Sequence, residues 1–278
     1  MYQISRSVYN RIPFLRRVVN LMFYRYLARL DPMGEVTLMN YGYADPASNA
    51  PPVSLSEGEE YNRYGLQMYH HVVGAVDLAG LDVLEVGSGR GGGAAFVKRR
   101  FAPGTMTGVD YCREAIAFCQ QYYAGEAKNG LRYIYGDAEN LPFEDGAFDA
   151  VINIESSHCY GNMARFLGEV WRTLRPGGHL LWADHREPHE TPALFDAIRK
   201  VGFEIITKET ITPNVLAAMV AQGERNLALI ERGVPRIARG FFRNFAGVEG
   251  THIYNMLKSG NLVYLHLMMR KGEPGKTA

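Results

Sequence analysis

Glu85-Val86-Gly87-Ser88-Gly89-Arg90-Gly91-Gly92-Gly93 lies between a short apolar run, Asp82–Val86, and a helical pattern, Gly92–Arg100. Strand, glycine-rich turn and helix in that order open a βαβ unit, because glycine lets the backbone turn tightly and approach a ligand closely. The alternation continues beyond it. Thr105–Val109 ends at Asp110, Arg132–Tyr135 at Gly136-Asp137, Phe148–Ile154 at Glu155 and Gly178–Ala183 at Asp184, while Glu204–Thr210 follows a helical run. Helices are predicted at Arg113–Ala124, Met163–Leu174 and Ala193–Val201, and Arg175-Pro176-Gly177-Gly178 reads as a helix stop followed by a turn. Such alternation predicts an α/β fold on a mostly parallel sheet, with helices on both faces. An open parallel sheet binds ligands outside the carboxyl ends of its strands, so the acids that end these strands are expected along one edge.

The 278 residues can bury a full core, and a net charge of +1 lacks the basic excess that nucleic acid demands. Cys112, Cys119 and Cys159 form no CxxC pair and read as reduced thiols. With no apolar run of membrane-spanning length and no signal-peptide pattern, a cytoplasmic protein is expected. Four zones follow: an N-terminal helical or lid segment (1–75), the core (76–211), a helical cap over the substrate (212–258) and a last strand with its tail (259–278). The final apolar segment, Leu262–Met269, is the candidate for that strand.

Gly87, Gly89 and Gly92 also satisfy G-x-G-x-x-G, with Asp110 downstream, so the turn alone admits a nicotinamide enzyme. Three features favour another cofactor. Glu85 precedes the glycines where a dinucleotide strand continues apolar. The first strand begins only after a long leading segment. Gly136-Asp137-Ala138-Glu139-Asn140-Leu141-Pro142-Phe143, followed by Phe148-Asp149, has no role in a dinucleotide site.

Together with Leu174-Arg175-Pro176-Gly177-Gly178, these motifs resemble the class I S-adenosylmethionine-dependent methyltransferases from about Leu81 to Asp184. The resemblance implies a Rossmann-like, seven-stranded sheet whose last strand is antiparallel. It also implies S-adenosylmethionine as cofactor; no His/Cys/Asp cluster has metal-ligand spacing, so no metal is expected. The implied binding set is Glu85, Gly87, Ser88, Gly89, Gly91, Asp110, Tyr111, Asp137, Ala138, Glu139, Glu155 and Tyr43. Asp110 is suited to accept from both ribose hydroxyls and Asp137 from the adenine amine, charge assistance strengthening each bond. The competing reading of both acids, and of Glu85, is that they cap or orient loops.

The segment Asn153-Ile154-Glu155-Ser156-Ser157-His158-Cys159-Tyr160 is similar to that of sterol and tocopherol C-methyltransferases and, more closely, to that of phthiotriol dimycocerosate O-methyltransferases. Asn40-Tyr41-Gly42-Tyr43, Asn62-Arg63, Tyr69-His70-His71 and Gly247-Val248-Glu249-Gly250-Thr251-His252-Ile253-Tyr254 extend the likeness. It implies a hydrophobic small-molecule acceptor, of secondary-metabolite, terpenoid, polyketide or lipid type. His158 is the expected general base, with Glu155 beside it, since O-methylation must release a hydroxyl proton. His158 could instead only hold the loop or the substrate; His70, His71 and His185 are weaker candidates. C-methylation through a carbocation lined by tyrosines is the alternative chemistry. A cofactor-binding assembly protein is the non-enzymatic one.

Phe14–Leu30 reads as an amphipathic helix with Leu15, Val18, Val19, Met22, Tyr26 and Leu30 on its apolar face. It is expected to serve as a lid or as the contact of a homo-oligomer, and less readily as a membrane-surface helix despite four arginines.

Overall fold

The computed structural model describes residue 34, residues 36–47 and residues 53–272. The expected helix Phe14–Leu30 lies outside the described residues.

Seven strands form one sheet: β1 (Asp82–Val86), β2 (Thr105–Asp110), β3 (Leu131–Tyr135), β4 (Phe148–Ile154), β5 (Leu174–Arg186), β6 (Phe203–Thr210) and β7 (Val263–Lys271). Their spatial order is β3-β2-β1-β4-β5-β7-β6. The five strands from β3 to β5 run parallel, and β7 enters between β5 and β6 antiparallel to both. This is the expected Rossmann-like sheet with an antiparallel last strand. The order reverses direction at β1 and β4, which makes the crevice between their carboxyl ends the ligand position.

Period-two burial divides the sheet into two cores. On one face Val83, Met106, Ile152 and Leu181 meet α1 (Arg63–Val73) and α2 (Gly92–Phe101) through Met68, Val72, Phe96 and Val97. On the other, Leu84, Val151, Leu180 and Trp182 meet α4 (Met163–Thr173) and α5 (Thr191–Val201) through Phe166, Leu167, Val170 and Ile198. Helix α3 (Arg113–Tyr122) covers β2 and β3. In α2 the buried residues crowd the first turns, while Lys98, Arg99 and Arg100 occupy the last one, where cations complement the helix dipole.

One expectation is corrected at Arg175–Gly178. Rather than a free turn before β5, the segment belongs to the start of that strand. Phe148 pairs with Leu174 and Ala150 with His179, so the residues between bulge from the ladder, with Gly177 at φ 77°. The Arg175 guanidinium then bridges the starts of two strands, donating to Asp149 at 2.5 Å and Asp82 at 2.9 Å.

After β6 the chain forms the expected helical stretch: α6 (Thr212–Ala221), α7 (Gly223–Gly233), α8 (Arg239–Phe245) and α9 (His252–Lys258). The extended strap 36–45 runs from α2 to these helices. Gly92 N–H donates to Thr37 O, Ala44 N–H to Asn214 O, Asn214 Nδ2 to Ala44 O, and Gln222 Nε2 to Tyr41 O at 2.6 Å. No helix among the described residues is long and apolar enough to cross a membrane.

Candidate active site

The turn after β1 is held in place by its neighbours. Gly87 and Ser88 N–H both donate to Val109 O, at 2.8 and 3.1 Å, and Gly89 N–H donates to Asp110 Oδ2 at 2.8 Å. Gly87 has φ 78°, and a Cβ there would stand 1.8 Å from Ser156 Oγ. Any side chain would strain the backbone and displace the loop after β4. Glu85, 1% exposed, accepts from Tyr69 Oη at 2.5 Å. Burial, with Asp110 nearby, pushes its carboxyl up to about 8. It therefore ties α1 to β1 from beneath the turn.

Above the turn is a cavity of about 150 Å³. Its wall contains Gly87, Ser88, Gly89, Asp110, Tyr111, Asp137, Ala138, Glu139 and Glu155, together with Met39 and Asn40 of the strap. Nine of the predicted positions thus converge. Asp110 accepts from Gly89 N–H and Cys112 N–H with separate oxygens and keeps lone pairs toward the cavity. Asp137 turns its own loop by accepting from Glu139 N–H at 3.0 Å, and Glu139 accepts from Gly161 and Asn162 N–H, joining that loop to the segment after β4.

Four predicted residues lie outside this wall. Gly91, at φ 80°, starts α2, and its carbonyl accepts from Tyr133 Oη at 2.6 Å. Tyr43 stacks on His71 with centroids 4.1 Å apart, and its place toward the cavity is taken by Met39 and Asn40. The strap forms no regular strand, so a tyrosine-rich motif did not reveal which residue would face inward. Glu85 is the buried support described above. His158 stands just behind the cavity, next to Cys159, which lines it.

His158 is held by a residue that sequence reasoning recorded only as a strand-ending acid. Asp184, 0% exposed at the end of β5, faces His158 Nδ1 at 2.8 Å. It also accepts from the backbone N–H of His158, from Ser157 Oγ–H at 2.7 Å and from His185 N–H, and Arg186 stands 3.1 Å away. Burial works against its charge, but the His158 ring and Arg186 outweigh it and hold the carboxyl well below the usual range. For His158, burial opposes protonation, and the neighbouring Cys159 and Asp184 overcome it, so its pKa lies well above the ordinary imidazole value. His185 stacks on His158 at 4.4 Å and takes the opposite course, pushed down to about 3 by burial and by the His158 cation. One imidazole is thus kept neutral beside one that favours its cationic form. The pairing of positions 158 and 184 arises from β4 and β5 being adjacent parallel strands, which no local spacing displays.

Glu155 closes the cavity at the end of β4. It has φ 46°, an uncommon conformation for a side-chain-bearing residue, which aims its carboxyl inward. Oε2 accepts from Tyr41 N–H at 2.9 Å, while buried Oε1 has no hydrogen-bond partner among the described residues. Burial and the Asp184 charge raise its pKa to about 8.

A second cavity of about 370 Å³ shares Leu38, Met39, Asn40 and Arg90 with the first. Leu229, Ile230, Val234, Phe242 and Phe245 of the helices after β6 make its walls apolar.

The cofactor that the fold implies can be tested against these residues. The wall offers carboxylates at three strand ends, a glycine turn with no side chain in the way, and two buried oxygens, Ser88 Oγ and Glu155 Oε1, with no partner among the described residues. An acceptor-rich wall of this kind suits a cationic, hydroxyl-bearing group, and the residues fit.

Comparisons with known proteins agree. Residues 84–182 match the methyltransferase domain family. The chain is 40% identical over 225 residues to a fatty-acid O-methyltransferase of Mycolicibacterium smegmatis, covering 81% of this chain and 78% of that protein. It is 36% identical over 230 residues to a phthiotriol/phenolphthiotriol dimycocerosates methyltransferase of Mycobacterium leprae, covering 83% of each. A crystal structure of a putative sarcosine dimethylglycine methyltransferase from Galdieria sulphuraria shares the fold, with TM-score 0.70 at 16% identity over 90% of this chain and 98% of the other.

Proposed function

The chain belongs to the S-adenosylmethionine-dependent methyltransferases, and on that premise we propose that it methylates an oxygen of a hydrophobic, lipid-like acceptor. The observation that carries this reading is the His158–Asp184 pair, next to Cys159 in the wall of the first cavity, which a second, largely apolar cavity adjoins. Relatives that act on fatty acids and phthiotriols support the acceptor class.

Bound S-adenosylmethionine supplies an electrophilic methyl group on a cationic sulfur. Asp110 would hold the ribose hydroxyls, Asp137, Ala138 and Tyr111 the adenine, and the glycine turn with Ser88 the amino-acid end. Glu155 offers its carboxyl to the positive charge. The helices of residues 212–258 act as a cap that receives the acceptor's apolar portion, so this part of the chain sets specificity. Excluding water there strengthens every polar contact at the joint.

Asp184 keeps the proton of His158 on Nδ1 and leaves the Nε2 lone pair to take the proton of an acceptor hydroxyl. It then stabilises the imidazolium that results. A base of this kind contributes about 10²–10⁴-fold, and positioning by the cavity walls contributes more. The raised pKa of His158 favours a second reading in which the acceptor is a carboxylate, already ionised, and the imidazolium attracts it.

The pH profile separates these modes. With a hydroxyl acceptor kcat/KM should climb as pH rises through the elevated His158 value, because only neutral His158 removes a proton. With a carboxylate acceptor it should fall over the same range. A profile unchanged in His158→Gln would remove His158 from both.

A further inference from the structure

We propose that His71, Glu209 and His266 form a binding site for one divalent transition-metal ion of the Zn²⁺ type, apart from the methyl-transfer site. Sequence spacing gave no metal-ligand set, because the three residues come from α1, β6 and β7 and meet only in the folded sheet. Glu209 and His266 are direct cross-strand partners. His71 Nε2 lies 3.0 Å and His266 Nδ1 3.2 Å from the same oxygen, Glu209 Oε2. One ligand atom from each residue falls within 4.8 Å of the other two.

These distances are those of a tetrahedral edge. Zn–N and Zn–O bonds of about 2.0 Å at the tetrahedral angle place neighbouring ligand atoms roughly 3.3 Å apart. Two imidazoles with one carboxylate select borderline transition ions over Ca²⁺ and Mg²⁺, which take oxygen. The side chain of Glu209 is 44% exposed and that of His71 25%, so the remaining coordination position opens to water.

The fold holds these donors in place before any ion arrives: His266 is 3% exposed, and Glu209 Oε2 already gathers both imidazoles. An ion bound there would replace the two hydrogen bonds to Glu209, each neutral imidazole then carrying its one proton on its other ring nitrogen. It would also clamp α1, which carries Tyr69 and thus Glu85, to the antiparallel edge of the sheet. The role is structural, because none of the three residues lines the cofactor cavity.

The test uses tag-free, chelator-treated full-length protein titrated with Co²⁺ and then Zn²⁺. One Co²⁺ per chain with visible ligand-field absorption, displaced by Zn²⁺, and a Zn²⁺-dependent rise in Tm of roughly 5 °C are expected. Glu209→Gln should weaken affinity at least tenfold and remove the Tm response, with methyl transfer by the metal-free protein unchanged. His266→Gln should do the same to metal binding. No saturable uptake below about 1 mM, or uptake indifferent to Glu209→Gln in a variant that keeps its circular dichroism, would overturn the site.

Discussion

Replacing Asp184 by Asn leaves size and shape almost unchanged and inverts the hydrogen bonding around His158. In the native structure the carboxylate takes Ser157 Oγ–H, the His158 N–H, the His158 ring and the His185 N–H, with Arg186 at 3.1 Å. An amide offers one acceptor oxygen and turns an NH₂ toward two of these donors. If it donates to Nδ1, the ring proton moves to Nε2, and the atom that faces the acceptor no longer removes a proton. Turnover of a hydroxyl acceptor should then fall about 10²–10⁴-fold, the worth of a general base. Arg186 also loses its buried counter-charge, so stability should drop by about 3–5 kcal/mol, as when one partner of a buried pair is deleted. The sign with pH is fixed. Asp184 has a depressed pKa, so the pair's contribution fades as pH falls through it. His158 has a raised one, so the contribution fades as pH rises through that value, and it is complete between the unfolded values of about 3.9 and 6.5. Urea melts from pH 4 to 9 and labelled methyl transfer measure both effects. Cofactor affinity by calorimetry should change less than threefold, since Asp184 is absent from the cavity wall. Turnover within threefold of the parent, or a loss confined to cofactor affinity, would refute the orienting role.

Gly87→Ala should weaken S-adenosylmethionine binding at least tenfold by calorimetry, since the new methyl meets Ser156 Oγ and the left-handed backbone alone costs about 1–2 kcal/mol. Asp110→Ala should cost affinity on the order of 10²-fold, two charge-assisted bonds being lost; unchanged affinity would overturn the ribose assignment. Glu155, with a pKa near 8, is largely protonated at neutral pH and should release its proton beside a bound cation. S-adenosylmethionine affinity is therefore expected to tighten from pH 6 to 8, with proton release visible as a buffer-dependent binding enthalpy. A buffer-independent enthalpy would place the positive charge away from Glu155.

The parts of the fold set by local pattern were readable from the chain. Asp82–Val86 and Phe148–Ile154 end where the apolar runs end, because turn residues and strand-ending acids bound them. The cavity wall followed, since a parallel sheet gathers those ends on one edge. Features that depend on which strands are neighbours were not visible. Asp184 acquires its part only because β5 lies beside β4, and His71 meets Glu209 and His266 only because β7 enters between β5 and β6. Backbone irregularity hid other details. The bulge at Arg175–Gly178 reads as a turn, and the strap places Met39 and Asn40 at the cavity where Tyr43 was expected.

The most direct measurement incubates the protein with S-adenosylmethionine bearing a CD₃ group and a panel of long-chain alcohols, phenols and fatty acids. Liberated S-adenosylhomocysteine and the labelled product are then quantified together. The account predicts equal amounts of the two, with the CD₃ group on oxygen as an ether or ester, and loss of both in Asp184→Asn. Cofactor binding with no S-adenosylhomocysteine released across the panel, or a CD₃ group attached to carbon, would contradict it.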